Sequence, residues 1–118
     1  MLLNNKGVIG VSDLRILDCT LRDGGYYNNW NFSLDTVRKY LSAMIGSGVS
    51  VVELGYRFSP SSSFYGAYAY CNEEFLGLLE LSKDLEFAVM IDEKNVSNYS
   101  GGVQAFFDDF FLEESESV

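Results

Sequence analysis

Histidine is missing altogether from these 118 residues. The commonest acid/base at neutral pH and the commonest metal ligand are therefore absent from any chemistry the chain performs alone. Cysteine is nearly as scarce: Cys19 and Cys71 have no C-x-x-C spacing, so neither a zinc site nor a disulfide framework is suggested. Both read as small buried hydrophobes. Basic residues are few, with 8 Lys+Arg against 17 Asp+Glu and a net charge of −9. So acidic a surface repels phosphate backbones and anionic lipid, which argues against nucleic acid and against a membrane as partners. No apolar run approaches the ~20 residues of a membrane span. The opening "MLLNNKGVIGVSD" has no long apolar region after a basic start, so the default location is cytoplasmic. The length also falls short of a complete eight-stranded α/β barrel, which needs roughly 250 residues.

What is present is a composition for packing, 47% hydrophobic and 15% aromatic. Leu14 to Cys19 predicts a short strand, followed by a loop "GGYYNNWNF" in which the glycine pair lets the backbone turn sharply. Ser33 is a predicted N-cap, and Val37, Tyr40, Leu41, Met44 and Ile45 fall at helical spacing until Gly46 and Gly48. Val49 to Gly55 predicts a strand covered on both faces. The long loop "YRFSPSSSFYGAYAY" holds the single proline, Pro60, and many aromatics. Asn72 predicts the cap of a second helix, "LEFAVMID" a third strand, and the phenylalanines from Val103 to Phe111 a final helix. Strand–helix alternation of this kind implies an α/β fold with parallel strands and right-handed crossovers. It suits either a small doubly wound sheet or the first three βα units of a (β/α)8 TIM barrel.

In both architectures functional side chains gather at the carboxyl ends of the strands. Arg22 and Asp23 follow strand one, Glu53 to Arg57 close strand two, and Asp92 to Asn95 follow strand three. A carboxylate there can bind a divalent cation, and an adjacent guanidinium can steady a developing oxyanion. Glu53 is the sharper signal, because an acid in a nearly apolar strand is costly unless paired. Its partner is Arg22 or Arg57, in a structural ion pair, a catalytic role, or both. The loop aromatics either line a substrate pocket or pack against neighbouring chain.

"LDCTLRDGG" resembles the strand-one signature, roughly D-x-T-L-R-D-G, of the metal-dependent aldolase and lyase superfamily, and "VVELGYRF" resembles its strand-two signature. That superfamily includes 3-hydroxy-3-methylglutaryl-CoA lyase and the pyruvate carboxyltransferase domains. The strongest likeness is to proteins like 4-hydroxy-2-oxovalerate aldolase. It implies a TIM barrel that makes or breaks a carbon–carbon bond beside the carbonyl of a small 2-oxo acid. A divalent metal, Mn2+ or Mg2+, would hold a pyruvate-like enolate. Carried over by position, Asp23 is the metal ligand, Arg22 stabilises the enolate oxygen and Glu53 positions Arg22. Tyr26 stands where those aldolases place a histidine base, three residues beyond the aspartate. Their later His-x-His pair has no counterpart here.

The resemblance implies that residues 1–118 form one partial barrel domain, truncated at its carboxyl end. Such a chain is expected to be inactive as a lyase on its own. A half-built barrel is also expected to self-associate through its exposed edge. The alternative from another class is a standalone α/β binding domain without catalysis, with the aromatic loop as its contact surface.

Overall fold

The computed structural model describes residues 14–61 and 63–111. The amino-terminal stretch read above and residues 112–118 lie outside the described residues. Three parallel strands form one sheet in the order β1 (Leu17–Asp18), β2 (Val51–Tyr56), β3 (Glu86–Met90). Helices α1 (Thr20–Asn28) and α2 (Leu34–Ser47) connect β1 to β2, and α3 (Glu73–Leu78) connects β2 to β3. Beyond β3 come α4 (Glu93–Ser97) and α5 (Gly102–Phe110). The chain is thus α/β, and its consecutive strand order is that of the first three βα units of a barrel wall. The reversal of order that marks a doubly wound sheet does not occur among the described strands. No helix among the described residues is long and apolar enough to cross a membrane.

Strand β2 reads almost entirely apolar because it lies between two neighbours and is buried from Val52 onward. Val52 and Leu54 meet Val37 of α2 and Ala69 and Cys71 of the long loop in one core. Helix α2 starts where Ser33 Oγ accepts the Thr36 N–H and stops at Gly48, whose φ of 85° is cheap only for glycine. Gly46, predicted to help end the helix, lies inside it. Asn72 Oδ1 caps α3 by accepting the Phe75 N–H at 2.8 Å.

Three expectations need correction. Strand one is only Leu17–Asp18; Ile16 joins the ladder solely through its carbonyl, which accepts the Ser50 and Val51 N–H groups. Cys19 already turns the chain into α1. Next, the glycine pair makes no sharp turn. Gly24 and Gly25 are interior residues of α1, and the reversal comes later, where Asn29 and Trp30 adopt left-handed backbone at φ 57° and 56°. Gly25 is glycine for space: a Cβ there would land inside the Trp30 indole ring. Lastly, strand three is Glu86–Met90 and not the whole of "LEFAVMID": Asp92 lies beyond it and begins a short helix, its Oδ1 accepting the Lys94 N–H at 3.1 Å.

The long loop packs inward rather than outward. Tyr68, Ala69 and Cys71 are buried, and Phe64 is the one loop aromatic that stands nearly free. Arg57, at the end of β2, fastens this loop and α5 together. Its Nε and Nη2 donate to the Cys71 carbonyl, and its Nη1 donates to Glu73 and to the Phe110 carbonyl at 2.9 Å. The guanidinium also covers the Phe111 ring, 4.4 Å from its centroid. The phenylalanine stripe of α5 packs around the fully buried Phe106 as its spacing predicts.

The two glycines of α1 should respond oppositely to a methyl group. Gly25→Ala is expected to cost about 3 kcal/mol by driving Cβ into Trp30. Gly24→Ala, with nothing nearer than 3.9 Å, should gain about 0.5–1 kcal/mol from helix entropy. Urea unfolding of both variants reads the contrast; a turn built on this glycine pair would lose stability in both.

Candidate functional site

The chain leaves β1 through Asp18, which is held by two elements. Its carboxylate accepts from the Tyr40 hydroxyl of α2 and from the Thr20 N–H at 3.0 Å. Partial burial works to raise its pKa, but these hydrogen bonds win and hold it below the usual carboxylate range. Burial and the Asp18 partner push the Tyr40 phenol strongly upward. Asp18 thereby ties α2 to the start of α1, which fixes where Arg22 points.

One turn into α1, Arg22 Nε donates to Glu53 Oε2 of β2 at 2.9 Å. The side chains are only 22% and 11% exposed. That hydrogen bond, partly opposed by burial, holds the guanidinium more firmly protonated than usual. The predicted alternative partner, Arg57, is engaged with Glu73 instead. Asp23 is adjacent, its Oδ1 3.9 Å from Arg22 Nη1, but 71% exposed and turned to solvent. The structure thus brings Arg22 of α1 and Glu53 of β2 together and leaves Asp23 at their rim.

Tyr26, one turn further along α1, meets a residue that sequence reasoning missed. Its hydroxyl lies 2.7 Å from that of Tyr56, the last residue of β2. Burial, then the hydrogen bond to Tyr26, push the Tyr56 phenol up to about 12, while the nearby Arg22 guanidinium opposes the rise. Glu53 and Tyr56 are three residues apart, and in a regular strand they would face opposite sides. The ladder slips between Glu53 and Gly55, so Leu54 has no partner on β3, and the extra residue restores both side chains to the Arg22 side. Gly55 was the available signal, since glycine inside a strand marks a bulge or close approach. A Cβ on it would run into the Tyr68 carbonyl.

Trp30 underpins the group. It is 3% exposed, and its indole N–H donates to the Arg22 carbonyl at 2.9 Å. Tyr26, Tyr56, Phe58 and Tyr65 pack edge-on around its ring, with centroids 4.8–5.6 Å away. Asp92, predicted at the same strand-end face, caps α4 and lines a separate open cleft of about 430 Å³ with Ser59, Lys94 and Asn95. Cys71 is fully buried, and burial pushes its thiol up to about 12, which leaves it inert; Cys19 is only partly buried.

No cluster of three or more His, Cys, Asp or Glu side chains occurs among the described residues. Asp23 is one exposed carboxylate beside a cation, and Glu53 is already paired. A hard cation takes six or more oxygen ligands, so the described residues do not form a complete metal site.

No family model matches the chain. A 68-residue stretch, 56% of this chain, is 35% identical to 4-hydroxy-2-oxovalerate aldolase 1 of Mycobacteroides abscessus, of which it covers 19%. Over 102 residues, 77% of the chain, it is 29% identical to 4-hydroxy-2-oxovalerate aldolase of Mycolicibacterium paratuberculosis, covering 29% of that protein. Among solved structures, one described as the N-terminal domain of a putative aldolase from Bacteroides vulgatus superposes with a TM-score of 0.65 at 42% identity. That match covers 71% of this chain and 28% of the other. The chain therefore spans less than a third of the proteins it matches, and the aldolase likeness is shared by sequence and fold across that part.

The Asp18 network gives a pH-dependent expectation. Because its folded-state pKa lies below the unfolded value, its stabilisation is present above about pH 4 and is lost as pH falls through the folded value. Asp18→Asn should cost about 1 kcal/mol at pH 7. The gap from the unsubstituted chain should narrow at pH 3 when both are unfolded in urea.

Proposed function

We propose that this chain forms the enolate-holding corner of an aldolase-type carbon–carbon lyase acting on a small 2-oxo acid. One observation carries the reading: Arg22, on the helix that follows β1, and Glu53, within the neighbouring parallel strand β2, are joined at 2.9 Å. In this reading residues 1–118 are a single partial domain of a (β/α)8 barrel, working in the cytoplasm. The aldolase relatives, which match over their own partial length, support it.

Glu53 takes the Nε edge of Arg22 and fixes its plane. The terminal nitrogens remain to donate hydrogen bonds to an oxygen that gains negative charge as the neighbouring carbon–carbon bond breaks. A fixed cation costs no reorganisation at that moment. Asp23 would offer one carboxylate to a divalent cation, magnesium or manganese, the Lewis acid that the resemblance implies for this chemistry. Because the described residues do not complete that site, the isolated chain is inactive as a lyase. The exposed Leu14, Ile16 and Leu17 at the β1 edge support self-association.

Given 4-hydroxy-2-oxovalerate and Mn2+, the purified chain should release no pyruvate in a lactate dehydrogenase-coupled assay; release above background overturns the inactivity. Oxalate, a planar analogue of the pyruvate enolate, should still bind in NMR titrations. Arg22→Gln should weaken that binding at least tenfold, the value of a charge-assisted hydrogen bond. An unchanged affinity would remove the basis of the whole reading.

A further inference from the structure

The hydroxyl pair beside Arg22 has no role in the function above. Tyr56 is 7% exposed and stacks on Phe58 with centroids 4.5 Å apart, so its hydroxyl has little freedom. Tyr26 is 60% exposed and held edge-on by Trp30 and Tyr56. A guanidinium can only donate hydrogen bonds, and each phenol owns one hydrogen. The Arg22 guanidinium near Tyr56 favours its oxygen as the more negative end, and the Tyr26 oxygen lies 2.7 Å away as the available acceptor. In the arrangement that suits all three, Tyr56 donates to Tyr26, and the hydrogen of the exposed Tyr26 is left for solvent.

We propose that Tyr56 is a positioning residue that donates its hydroxyl hydrogen to Tyr26 and thereby presents the Tyr26 hydroxyl as a proton donor to an enolate held at Arg22. The proposal rests on the enolate-holding reading and adds the direction of proton flow. A neutral phenol gives a proton more readily than it takes one at neutral pH, so the pair suits the step that quenches an enolate. The Tyr26 O–H bond breaks and its proton forms a new C–H bond at the enolate's terminal carbon. The carbon–carbon π pair supplies that bond's electrons while the oxygen's charge re-forms the carbonyl. The tyrosinate left behind accepts the Tyr56 hydrogen bond, feels the Arg22 charge, and recovers a proton from water at its exposed position. The reaction class is enolate protonation of a 2-oxo acid. The upward displacement of the Tyr56 phenol by its Tyr26 partner, second to burial, agrees with Tyr56 as the donor of the pair.

The test uses the 118-residue chain with oxalate as the probe, together with 13Cζ-tyrosine NMR. Tyr56→Phe should weaken oxalate binding about fivefold although Tyr56 does not touch the ligand, and Tyr26→Phe at least as much. Tyr26→Phe should bring the ionisation of Tyr56, identified as the resonance missing in Tyr56→Phe, to lower pH by removing its acceptor. Arg22→Gln should send it higher. A rise or no change in Tyr56 on Tyr26→Phe means the hydrogen bond runs the other way and overturns the proposal. Wild-type oxalate affinity in both tyrosine variants, with loss in Arg22→Gln, overturns the relay and leaves the enolate-holding reading standing. Retained affinity in Arg22→Gln, or no oxalate binding by the unsubstituted chain, overturns both.

Discussion

The seating of Trp30 on Gly25 is the constraint from which the site follows. The indole occupies the space a side chain at position 25 would need, and its N–H donates to the Arg22 carbonyl. Helix α1 can therefore lie in only one rotation about its axis, the one that turns Arg22 toward β2. Were the indole displaced, the ion pair with Glu53 would lose its geometry before losing its charge. Burial alone offers no such control, since a helix of this length with a short apolar face could rotate by a residue at small cost. The left-handed backbone at Asn29 and Trp30 is the strain accepted for this placement, of order 1–3 kcal/mol per residue.

From that anchor the electrostatics run outward in order of burial. Glu53 is nearly enclosed, Arg22 is partly so, and Asp23 is open to water. Attraction between charges strengthens as water is excluded, so the inner pair is rigid and the outer carboxylate free to respond to a ligand. The sequence places these three charges close together along the chain or strand ends. Their graded exposure is a property of the packing.

Much of this was legible in the residue pattern, and the failures are specific. Helical periodicity found α2, and Ser33 and Asn72 were legible as the caps of α2 and α3, because those side chains act on backbone within three residues. That Glu53 has an arginine partner was legible because a buried acid demands one, but burial left Arg22 and Arg57 both open, and only the family resemblance favoured Arg22. The glycine pair misled, since Gly-Gly reads as a turn when its long-range reason, the tryptophan five residues on, is unseen. Tyr56 was hidden by parity: a strand reading assigns residues 53 and 56 to opposite faces, and only the unpaired Leu54 reverses that. Helix α4 went unread because five residues carry too little periodicity to be recognised.

Whereas the grip of the Arg57 guanidinium on Glu73 and Phe111 is on side chains, at Cys71 and Phe110 it takes hold of backbone carbonyls. Every amino acid carries that acceptor, so the clasp survives evolutionary drift in whatever residue occupies position 110. The arginine itself has no such latitude: a lysine lacks the fork that reaches three acceptors at once. In descendants of this sequence, position 57 should therefore stay fixed while positions 71 and 110, held only by their carbonyls, are free to change their lettering.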